Sequence, residues 1–80
     1  MPTAVWLMIL KAVDEVSREN ALGVAPVREI IRRLNSPEHS VRNILSRMKK
    51  AGLVESPVYG CYRLTAKGKE LLRQLEGLPA

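Results

Sequence analysis

The stretch SPEHSVRNILSRMKKAGL, Ser36 to Leu53, concentrates side chains that donate hydrogen bonds: His39, Ser40, Arg42, Asn43, Ser46, Arg47, Lys49 and Lys50. Glu38 is its only acid. These residue types meet phosphate oxygens and the edges of bases, so the stretch suits contact with a polyanion. A face evolved only for solubility would mix in Glu more freely.

Nothing comparable exists for catalysis. The chain has one His, no His-Cys or His-Asp cluster at ligand spacing, and no Gly-x-Ser-x-Gly element. Gly68-Lys69 resembles the end of a phosphate-binding loop, but Gly60 lies too far upstream and Glu70 stands where Ser or Thr is needed. The expectation is therefore no enzyme, no metal and no cofactor, and no small-molecule ligand is evident. Cys61, the sole cysteine, has no internal disulfide partner and reads as a small apolar residue. His39 also has a plain reading as a solvated residue, and Trp6 and Tyr59 read as packing residues rather than stacking platforms.

The donors need a helix to present them. Ser36 reads as an N-cap, Pro37 as a first helical residue and Glu38 as a favourable charge at the positive end of the dipole. Gly52 reads as a left-handed stop, so a helix is expected over 37–51. At about 100° per residue, Val41, Ile44, Leu45 and Met48 fall on one side. His39, Asn43, Ser46 and Lys50 fall on the other, flanked by Arg42 and Arg47.

The rest of the chain supplies the support. A first helix runs from a cap at Thr3 to about Asn20, with Ile9, Leu10, Val13 and Val16 as its core stripe. Val24-Ala25 is short and extended before Pro26, which suits the first turn of a second helix built on Val27, Ile30, Ile31 and Leu34. After Gly52, Leu53 to Ser56 and Cys61 to Thr65 read as two strands joined by the turn Pro57-Val58-Tyr59-Gly60. Tyr62 and Leu64 take one face of the second strand, Cys61, Arg63 and Thr65 the other. Thr65 caps a last helix with Leu71, Leu72 and Leu75 on its apolar side.

The 80 residues suit a single domain spanning 1–80. A chain of that length buries only about 60–65% of its unfolded surface, so its core is thin. The net charge of +5 is uneven: residues 32–80 hold ten basic and four acidic side chains, residues 1–31 three and four. The apolar run Ala4 to Leu10 is too short to span a bilayer, which takes about 20 residues, and it lacks the flanks of a signal peptide. A soluble, cytoplasmic protein with no membrane partner is the expectation.

Helix, short strand, helix, turn, helix, hairpin, helix is an α+β, mostly helical order. It is the order of a winged helix-turn-helix: a three-helix core, a short two- to three-stranded β wing and a C-terminal helix. VREIIRRLN, SVRNILSRMKKAGLVES and YRLTAKGKELL resemble the second-helix, recognition-helix and wing-to-last-helix segments of winged-helix transcriptional regulators related to the MarR and PadR groups. The resemblance covers about residues 24 to 75. It implies that His39, Ser40, Arg42, Asn43 and Arg47 lie in or beside the DNA major groove, with Lys49 and Lys50 near phosphates and Arg63 at the wing base. The wing tip departs from the pattern, being brief and uncharged.

Two functions of different class follow. One is a sequence-specific double-stranded DNA-binding transcriptional regulator, acting as a homodimer because two-fold symmetry doubles a short site. The other is a winged-helix adaptor holding a protein in a transcription or replication assembly. The dimer expectation rests on Val5, Trp6 and Met8 of the first helix, expected to lie in water near Leu75 and Leu78 and to pair across the two-fold axis.

Overall fold

The first helix, α1 (Thr3–Glu19), buries Ile9, Leu10, Val13 and Val16, the stripe its spacing predicts. The computed structural model describes residues 3–77, with side chains from Ala4 onward, so the expected cap on Thr3 and the contact of Leu78 lie outside it. The remaining elements are β1 (Ala25–Pro26), α2 (Val27–Leu34), α3 (Glu38–Lys50), β2 (Val54–Val58), β3 (Cys61–Leu64) and α4 (Ala66–Glu76). The described chain is thus α+β and mostly helical, with four helices and one three-stranded antiparallel sheet ordered β1-β3-β2.

Every element feeds one apolar core. Leu10 of α1, Ile30 of α2, and Leu45 and Met48 of α3 have no exposed surface, and Ala25, Val54, Leu64 and Leu72 close it from the strands and α4. At about 25 cal/mol per Å² of apolar surface removed from water, this burial is the main term favouring the fold. Tyr62 is half-buried against the core and Leu64 buried, while Arg63 between them is exposed, as period-2 alternation requires.

Several boundaries differ from expectation. Ser36 does not cap α3: Pro37 holds the capping position with no side-chain hydrogen bond, and the Ser36 hydroxyl donates back to the Leu34 carbonyl at 3.2 Å. That bond satisfies one of the carbonyls left open where α2 ends, at Asn35 in the left-handed region (φ 52°). Pro26 likewise precedes α2 rather than starting it. It is extended (φ −60°, ψ 137°) and pairs with Cys61 on the sheet edge, where a missing N–H does no harm. The strands also shift: Pro57 and Val58 belong to β2, leaving Tyr59-Gly60 as the turn, with Gly60 at φ 80°.

Of the two aromatics read as packing residues, Trp6 packs and Tyr59 does not. Trp6 is half-buried against the core of its own chain, as is Leu75, so the large exposed apolar side chains of α1 are Val5 and Met8. Tyr59, expected to pack, is fully exposed at the hairpin turn.

Candidate nucleic-acid interface

Helix α3 is held at both ends. Its C-terminus closes in a Schellman arrangement: the Leu53 N–H donates to the Met48 carbonyl at 2.9 Å and the Gly52 N–H to that of Lys49 at 3.1 Å, with Gly52 at φ 78°. The start of α4 then clamps this turn. The Thr65 N–H donates to the Leu53 carbonyl at 3.0 Å, the Thr65 hydroxyl donates to the Gly52 carbonyl, and the Lys67 ammonium donates to that of Ala51 at 3.1 Å. A cation on the last carbonyls also complements the negative end of the helix dipole. Between α2 and α3 lie only three residues, Asn35 to Pro37.

With Val41, Leu45 and Met48 buried, the opposite side of α3 presents His39, Asn43, Ser46 and Lys50, all exposed, with Arg42, Arg47 and Lys49 exposed beside them. Arg42 Nε donates to Glu38 at 2.8 Å, an exposed pair one turn apart whose contribution is small and exchangeable. Arg47, Lys49 and Lys50 have no ion-pair partner among the described residues. The upstream half of this part of the chain is different: Arg33 is occupied by Glu19 at 2.7 Å and Glu15 at 3.4 Å, tying α2 to α1. Its hydrogen bond holds the Glu19 carboxyl below the usual carboxylate range, against an opposing desolvation.

Two expected site residues stand apart from this face. Ser40 is half-buried and turns toward Ile44, lining an apolar groove of about 170 Å³ with Val5, Met8, Leu34 and Pro37. Arg63 donates from Nε to Glu55 at 2.6 Å and lines a separate hollow with Arg18 and Lys69, in which no α3 side chain takes part.

Lys67 was not singled out from sequence, and Tyr59 was read there as a packing residue. Lys67 reaches α3 only because α4 docks on the Gly52-Leu53 turn, and no local pattern carries that information. Tyr59 had a signal: an aromatic between Val58 and Gly60 at a two-residue turn has little chain around it to pack against. The turn is nevertheless held in place, because the Val27 N–H donates to the Gly60 carbonyl at 2.9 Å and the Ser56 hydroxyl to that of Val58 at 3.0 Å.

Among the described residues no group of His, Cys, Asp and Glu could hold a metal ion, and no helix is long and apolar enough to cross a membrane. Compared with family models, with curated proteins and with solved structures, the chain matches none of them.

Proposed function

We propose that this chain is a winged helix-turn-helix module that binds double-stranded DNA sequence-specifically through α3 and acts as a transcriptional regulator. The observation that carries the reading is the composition of the exposed side of α3. His39, Asn43 and Ser46 supply hydrogen-bonding groups for base edges, and Arg47, Lys49 and Lys50 are cations with no ion-pair partner among the described residues. Arg42 joins them by leaving Glu38 for a base or phosphate. A 13-residue helix is about 20 Å long, and the major groove, about 12 Å wide, admits it. The three-residue link from α2 to α3 fits the turn of a helix-turn-helix.

The reading includes a second copy. One α3 spans few base pairs, and pairing doubles the site. Val5 (40% exposed) and Met8 (52% exposed) line the apolar groove beside Ile44, on the side of α3 away from Asn43 and Lys50, so pairing there leaves the polar face open. Replacing Val5 and Met8 by Ser should shift sedimentation from dimer to monomer with the fold retained. A wild type monomeric at tens of micromolar would remove the second copy from the proposal.

Fluorescence anisotropy with labelled random duplex, read against salt, tests the main claim. Phosphate contact by Arg47, Lys49 and Lys50 predicts a slope of log affinity against log salt of about −3 per protomer, from about 0.9 per phosphate neutralised. Absence of duplex binding even at low salt would refute it and favour a protein-binding adaptor.

A further inference from the structure

Away from α3, three cations from three elements converge on one hollow of about 350 Å³: Arg18 of α1, Arg63 of β3 and Lys69 of α4. We infer that this hollow binds a phosphate group. The case rests on counting donors against acceptors. Asp14 is the only acid lining the hollow among the described residues, and it is already engaged by one terminal nitrogen of Arg18 at 3.1 Å. Glu55, the only other acid bonded to this set among the described residues, takes Nε of Arg63 and leaves the two terminal nitrogens of that guanidinium without a partner among them. Lys69 has no ion-pair partner among the described residues. The hollow therefore carries guanidinium and ammonium donors in excess of carboxylate oxygens.

A tetrahedral oxyanion supplies what the set lacks: several acceptors placed around one centre, matched to the planar fork of Arg and the point charge of Lys. The volume exceeds one phosphate, leaving room for a small organic group attached to it. The phosphate can come from a free phosphorylated molecule or from a nucleic-acid backbone, and the chemistry of recognition is the same. The site is separate from the α3 face and does not depend on what that face binds.

The test follows backbone amide resonances of the full chain during titration with inorganic phosphate and with pyrophosphate, using chloride at matched ionic strength as control. Saturable shifts centred on Arg18, Gly23, Arg63 and Lys69 are expected. They should weaken by about tenfold or more in Arg63→Gln/Lys69→Gln, which removes two charge-assisted donors. Arg63 and Lys69 are both exposed, so the variant should keep its unfolding midpoint, and Lys69→Glu alone provides a second check. A short duplex forms the other arm. If it moves the same resonances and pyrophosphate competes, the phosphate is that of a nucleic-acid backbone. If only the free anions act, the ligand is a small phosphorylated molecule. Shifts no larger than those in chloride, or shifts unchanged in the variants, would overturn the assignment.

Discussion

Gly68→Ala tests the joint that holds α3 against α4. Gly68 is buried in the first turn of α4, and a Cβ there would overlap the carbonyl oxygen of Leu53, lying 2.9 Å from its carbon and 3.3 Å from its Cα. Carbon atoms pack without strain at about 3.5–4.0 Å, so the α4 backbone and the Gly52-Leu53 turn must separate. The same Leu53 carbonyl accepts the Thr65 N–H at 3.0 Å, so separation also stretches that bond. Overpacking costs about 1–3 kcal/mol and the weakened hydrogen bond about 1 kcal/mol. The better helix propensity of Ala returns about 1 kcal/mol. The net expectation is a loss of about 1–3 kcal/mol, a fall in Tm on the order of 5–20 °C for a domain of this size. Urea unfolding followed by circular dichroism would measure it, with an unchanged m-value confirming that stability alone has moved. Gly77→Ala is the control, since a Cβ there meets nothing closer than 3.4 Å. A Gly68→Ala protein as stable as wild type would refute the close approach of α4 to Leu53, and with it the clamp on α3.

Other outcomes follow from the same geometry. Thr65→Ala removes the side chain that accepts from the Gly68 N–H at 3.1 Å and donates to Gly52, and should cost about 1–2 kcal/mol in the same urea assay. Asn43→Ala or Arg42→Ala should lower affinity for a selected DNA site by about 1–3 kcal/mol while leaving random duplex nearly unaffected; equal losses on both would make them phosphate contacts. Lys49→Ala and Lys50→Ala should instead weaken binding on any sequence, each reducing the salt slope by about one unit. Because Arg33 depresses the folded-state titration of Glu19, the contribution of that pair is fully present above the ordinary carboxylate value of 4.5 and is lost as pH falls through the lower folded one. Acid titration of Glu19→Gln should therefore lack the part of the low-pH loss of stability seen in wild type; identical acid profiles would count against the pair.

Local rules were enough for most elements. The 3.6-residue spacing of Ile9, Leu10, Val13 and Val16, and of Val41, Leu45 and Met48, assigned both helices and their buried sides, because burial of an apolar stripe depends on the sequence of the helix itself. Gly52 ended α3 because few other residues adopt φ 78° at so little cost. The exposed donors of α3 were legible for the same reason: once the core side is known, the opposite side is geometry.

What the tertiary structure alone decided concerns partners distant in the chain. Ser36 lost its capping role to the Leu34 carbonyl, and Ser40 turned to a groove whose far wall is Val5 and Met8. Arg63 left the α3 side for Glu55, Arg18 and Lys69, three positions from three elements that no spacing relates. Charged and hydroxyl side chains are long or versatile enough to choose among several partners, and the choice depends on which elements the core brings alongside. The apolar pattern determines which residues go inside; where the polar ones point is decided only when the helices and sheet have docked.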